Sequence, residues 1–82
     1  MRKSLMSDDY GKLVEMLRAL REDAGVTQVE LAELLEESQS FVSKCERGER
    51  RLDVLELRHW CRALKVDFVK FVQQLDRRLG RR

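Results

Sequence analysis

The 82-residue chain contains no proline, so its helices must be started and stopped by capping side chains and glycine alone. Aromatic residues make up only 6% of it, and its few β-branched residues form no alternating run, which argues against strands. No apolar stretch approaches the length of a membrane span, and the basic start Met1-Arg2-Lys3 leads into no signal-peptide core. The two cysteines, Cys45 and Cys61, lack metal-ligand spacing and fall at core-facing helical positions. They read as reduced, buried thiols of a cytoplasmic protein rather than as a disulfide or redox pair. The only histidine, His59, reads as an exposed helix residue rather than as a metal ligand or catalytic base. Paired catalytic acids, a glycine-rich phosphate loop and a nucleophile motif are all missing, so neither an enzyme nor a metal or cofactor site is expected. The formal net charge of +2 is too small to identify a polyanionic partner by itself.

What the chain does have is charge and helical periodicity. Charged residues are 39% and apolar residues 43% of the sequence, as in a soluble helical bundle and above the disorder regime. Such a length makes one domain whose core is small. Residues 1–7 read as a flexible arm, 8–79 as the domain and 80–82 as a basic tail. Ser7, Asp8 or Asp9 can cap a first helix running to about Ala24, with Leu13, Leu17 and Leu20 inward and Gly25 stopping it. Asp53 can cap a fourth helix with Val54, Leu57, Trp60, Cys61 and Leu64 at helical spacing. Asp67 can cap a fifth, in which Phe68, Phe71, Val72, Leu75 and Leu79 run apolar toward the tail.

Between them lies the most informative stretch, Thr27 to Gly48. Thr27 and Glu30 form a capping box ahead of a helix at about Gln28–Leu35, with Leu31, Ala32, Leu34 and Leu35 as its apolar face. Ser38 is a new N-cap three residues later, so a second helix starts at Gln39 and runs to about Arg47 before Gly48 ends it. Gln39, Ser40, Ser43 and Lys44 then fall opposite Val42 and Cys45. Two short helices with one face docked and the other polar are the helix-turn-helix arrangement of DNA readers. Glu30, Glu33, Glu36 and Glu37 make the first helix of the pair and its turn acidic. Lys44, Arg47, Arg50 and Arg51 outweigh Glu46 and Glu49 after it, giving a locally positive edge on a nearly balanced body.

The frame Leu20-Arg21, Thr27-Gln28, Glu30-Leu31-Ala32, Ser38-Gln39-Ser40, Val42-Ser43 and Glu46-Arg47-Gly48 resembles the lambda-repressor-like, xenobiotic-response-element type of helix-turn-helix regulator. Phage repressors and restriction–modification controllers belong to that family, and the resemblance covers about residues 12 to 72. It implies an all-α, compact five-helix bundle that binds operator DNA, usually as a homodimer. It further implies that Gln28 bonds a phosphate and braces Gln39, and that Arg21 and Glu46 form an ion pair tying the first helix to the end of the third. The chain departs from the family at Glu36, where glycine is common, at Cys45, where a larger aliphatic is usual, and at Leu52, where proline often follows the basic loop. A positive φ at Glu36 would be strained.

On this reading Gln39 pairs with adenine N6 and N7 in the major groove, and Ser40 and Ser43 meet base edges nearby. Lys44 reaches guanine O6 or N7, or else a phosphate. Phe41 either touches a thymine methyl or covers the seam between helices. Arg47, Arg50 and Arg51 join Gln28 as backbone contacts. Val69, Val72, Leu75 and Leu79 exceed what a small core needs and form a candidate dimer interface, unless they merely cover the domain's own base. The expected partners are double-stranded DNA and a second copy of the chain, with no membrane and no small-molecule ligand. The rival reading is an antitoxin-like or protein-interaction module with only weak, sequence-blind DNA affinity.

Overall fold

Five capping side chains divide the described residues into five helices. In the computed structural model, which describes residues 7–80, these are α1 (Asp8–Asp23), α2 (Gln28–Leu35), α3 (Gln39–Glu46), α4 (Val54–Ala63) and α5 (Phe68–Leu79). No strand occurs among the described residues. The expected N-terminal arm and basic tail lie, apart from Ser7 and Gly80, outside them. Ser7, Thr27, Ser38, Asp53 and Asp67 each accept a hydrogen bond from the backbone N–H three residues on. Each bond satisfies a donor that a helix start otherwise leaves without a partner. The box expected at Thr27 and Glu30 forms, and Asp53 and Glu56 build a second.

The helix ends follow a second rule. Gly25, Glu36, Gly48 and Lys65 all take left-handed conformations, with φ of 71°, 58°, 77° and 62°. The next residue in each case donates its N–H to the carbonyl five positions back: Val26 to Arg21 at 3.1 Å, Glu37 to Ala32 at 2.9 Å, Glu49 to Lys44 at 2.9 Å and Val66 to Cys61 at 2.8 Å. This is the Schellman closure, which glycine adopts without steric cost. Two of the four residues are not glycine, so the chain keeps the turn geometry at Glu36 despite the side chain.

α1 packs against α3 and α5, α2 against α3 and α4, and α4 against α5. Leu17, Leu31, Val42, Cys45, Trp60, Cys61 and Phe71 are wholly enclosed between them. Both cysteines are free, and burial pushes each thiol up to about 11, so they serve as packing groups and not as nucleophiles. The inner faces differ from the expected ones in three places. α1 buries Tyr10, Val14, Leu17 and Arg21, leaving Leu13 and Leu20 half-buried on the margin. Its face is rotated because two polar tips find partners inside: the Tyr10 hydroxyl accepts from the Leu52 N–H at 3.1 Å, and Arg21 meets Glu46. Leu34 is 52% exposed, since it lies about a quarter turn from the centre of the Leu31, Ala32 and Leu35 stripe. Val54 is exposed because it is the first residue of α4, beyond the end of the core.

Left-handed geometry costs a non-glycine residue roughly 1–2 kcal/mol, and the greater freedom of glycine in the unfolded chain takes back roughly 0.5–1. Glu36→Gly should therefore stabilise the fold by about 0.5–1 kcal/mol, seen as a higher urea midpoint at unchanged slope. A lower midpoint would mean that the Glu36 side chain itself secures the turn.

Candidate nucleic-acid interface

Three residues, Glu36 to Ser38, separate α2 from α3, and the left-handed Glu36 turns the chain sharply enough for the two helices to pack on each other. α3 is amphipathic over its two turns. Val42, Cys45 and Glu46 are buried underneath, Gln39, Ser40 and Lys44 are exposed on the outer side, and Ser43 is half-buried. The outward row expected at Gln39, Ser40, Ser43 and Lys44 is thus assembled on one short rod. Phe41 is half-buried against the core, and the Arg50 guanidinium sits 5.1 Å above its ring.

Behind that rod runs a chain of side-chain hydrogen bonds. Arg21 donates from Nε to Glu46 Oε2 at 2.7 Å and from Nη2 to Glu46 Oε1 at 3.0 Å. Its Nη1 donates to the Val26 carbonyl at 2.9 Å, which anchors the guanidinium to the turn after α1. The two side chains keep only 10% and 2% of their surface exposed, and the hydrogen bonds Arg21 donates to Glu46 raise the pKa of Arg21. Gln28 Nε2 then donates to Glu46 Oε1 at 3.0 Å, and Gln39 Nε2 donates to Gln28 Oε1 at 2.9 Å. The expected pairs Arg21–Glu46 and Gln28–Gln39 are therefore both present. The bond joining them, from Gln28 to Glu46, spans eighteen positions and no local spacing announces it.

The arginines after α3 are not one open basic strip. Arg47 pairs with Glu49 through two bonds of 2.9 and 3.2 Å and also donates to the Ser43 hydroxyl. Arg50 pairs with Glu56 at 3.0 and 2.7 Å while lying on Phe41. Glu56 is held below the usual carboxylate range first by Arg50 and then by the Asp53 backbone N–H, and Glu49 by Arg47. Arg51 turns to α1, its guanidinium 4.2 Å above the Tyr10 ring. The positive edge counted from sequence is thus partly neutralised by Glu49 and by Glu56, which stands six positions from Arg50.

The four apolar residues expected on α5 divide into two sets. Val69 and Val72 point outward, 63% and 39% exposed. Leu75 and Leu79 are half-buried and line a hollow with Tyr10 and Leu13 of α1. On α4, Leu55 is 73% exposed, adding outward apolar surface that the periodicity did not single out, beside Val54, which the periodicity placed inward.

A family model described as a helix-turn-helix domain matches residues 12–75. Among solved structures, an XRE-family like protein from Pseudomonas syringae pv. tomato str. DC3000 is 40% identical, covering 90% of this chain and 89% of that one, with a TM-score of 0.83. The wild-type restriction–modification controller protein C.Esp1396I is 25% identical over 94% of this chain and 99% of its own, with a TM-score of 0.81. The clp gene regulator ClgR from C. glutamicum is 28% identical over 90% and 96%, with a TM-score of 0.76. No curated protein matches the chain.

The buried pair yields a direct test. Glu46→Ala leaves the Arg21 charge enclosed without its partner, which should cost on the order of 3–5 kcal/mol. Thermal melting followed by circular dichroism reads the loss. An unchanged melting temperature would remove the pair from any structural role.

Proposed function

This chain belongs to the helix-turn-helix domain family, in its XRE-like branch, and on that premise we propose that it is a cytoplasmic transcriptional regulator that binds double-stranded DNA sequence-specifically. In this reading α3 enters the major groove, which admits one helix. The observation that carries it is the outward row on α3 led by Gln39, whose amide is already braced by Gln28. With one N–H given to Gln28, Gln39 keeps a second N–H and its oxygen, the pair that adenine N7 and N6 require. Ser40 and Ser43 supply hydroxyls to neighbouring edges, and Lys44 reaches guanine or a phosphate.

Gln28 retains a second N–H for a phosphate beyond the one it gives Glu46. Arg47, Arg50 and Arg51 flank the groove and fix register on the backbone. Arg47 and Arg50 must exchange their carboxylate partners for phosphate, so their net contribution to affinity is smaller than that of free arginines. One copy of α3 spans only a few base pairs. A two-fold dimer reading a pseudo-palindrome, with half-sites about 34–36 Å apart, supplies the rest. The outward Val69 and Val72 of α5 are the surface for it, with Leu75 and Leu79 further along the same helix, half-buried against α1.

A second reading draws on the same arginine pairs: with Arg47 and Arg50 engaged by acids, a protein-binding or antitoxin-like module would show only weak, sequence-blind affinity for DNA. The two readings part on mutation. Gln39→Ala should relax preference at one base pair by about 1–3 kcal/mol, read by titrating labelled duplexes that differ at single positions. Arg50→Ala should weaken every duplex alike and lower the salt slope by at most about 1, since part of its charge is already shared with Glu56. Equal binding to all duplexes by the wild type would favour the protein-binding module. For the dimer, Val69→Glu should convert the sedimenting species to monomer, and an unaltered dimer would exclude that face.

A further inference from the structure

The side chains behind α3 have a polarity as well as a geometry. An ionised carboxylate only accepts hydrogen bonds, whereas an amide presents a donor at one end and an acceptor at the other. Glu46, fixed by two bonds from Arg21, therefore obliges Gln28 to turn its NH2 inward. That leaves Gln28 Oε1 facing α3, which obliges Gln39 to turn its own NH2 toward Gln28. A reversed Gln39 would set two oxygens against each other, and a reversed Gln28 would set its oxygen against a carboxylate. We propose that Glu46 is a positioning residue for base reading: acting through Gln28, it fixes which end of the Gln39 amide faces outward.

This rests on the DNA-reading function proposed above and deepens it. With the amide polarity set, Gln39 offers oxygen and one N–H in a single order, which suits adenine and penalises bases that would be read by the reversed amide. The ion pair then does more than tie α1 to α3, because it supplies the asymmetry from which the two amides take their direction. Neutral residues at its position would keep the helices together yet let both amides reverse.

The test uses short duplexes that differ at single base pairs around a sequence enriched from random duplex DNA by the wild-type chain. Glu46→Gln keeps size and hydrogen bonding but loses the acceptor-only character. Its preference at the base pair that Gln39→Ala relaxes should fall roughly tenfold, within the range that a bidentate amide contributes. Preferences elsewhere should stay within about twofold, as for sites that do not share partners. In a Gln39→Ala background the same substitution should change nothing further at that base pair.

Glu46→Gln strands the Arg21 charge and can unfold the chain, so a second variant replaces the whole pair, Arg21→Met with Glu46→Met. Apolar replacement of both partners commonly preserves stability, and a purely structural role for the pair then predicts intact base preference. The present proposal predicts the same roughly tenfold loss at that one position, with melting unchanged. Wild-type preference retained in the folded Met pair overturns it, as does an equal loss on all sequences or an effect that persists without Gln39. If the wild type enriches no sequence at all, the DNA-reading function itself fails and this inference goes with it.

Discussion

The buried contact between Arg21 and Glu46 is the constraint on which the arrangement of α2 and α3 depends. α3 has eight residues, far below the roughly 12–15 at which an isolated helix begins to persist in water, so its stability must come from outside. Val42 and Cys45 provide it by burial beneath the helix, and Glu46 provides it at the end by a two-bond tie to α1. The same guanidinium holds the Val26 carbonyl in the turn before α2, so one side chain sets the start of α2 and the end of α3 together. Enclosed charges are expensive unless every bond is made. Here the Glu46 carboxylate is bonded by Arg21 and Gln28, so the pair fixes position at little net cost, while removing either partner alone is destabilising.

Electrostatics around the rod are less one-sided than a count of basic residues implies. Glu49 and Glu56 occupy the guanidinium groups of Arg47 and Arg50, and aromatic rings lie under Arg50 and Arg51. Side chains held in this way are preorganised, which lowers the entropy lost on meeting a phosphate, but their charge is already shared. Such an edge favours correct register over raw attraction. It suits a chain whose net charge is only +2 and in which α2 and the turn after it carry Glu30, Glu33, Glu36 and Glu37.

Much of this was legible because it is local. All five caps are short-range signals, in which an oxygen meets an N–H three residues away, and the helix bounds follow them closely. The pairs Arg21–Glu46 and Gln28–Gln39 were legible only through the family resemblance. What escaped depends on tertiary context. The rotation of α1 was hidden because Tyr10 looks like a surface residue until its partner across the fold, the Leu52 N–H, is known. Lys65 adopts a left-handed turn with no glycine to announce it. The Gln28–Glu46 bond and the Arg50–Glu56 pair join residues that no helical period relates, so a basic loop was read where a compensated one exists.

Selection of bound molecules from a pool of random duplexes by the unmodified chain decides whether α3 reads sequence. The account predicts enrichment of a two-fold-symmetric site, with an adenine at equivalent positions of both halves and half-site centres about one helical turn, 10–10.5 base pairs, apart or a multiple of it. A pool that remains random after repeated rounds, or one retained in proportion to length alone, would contradict it.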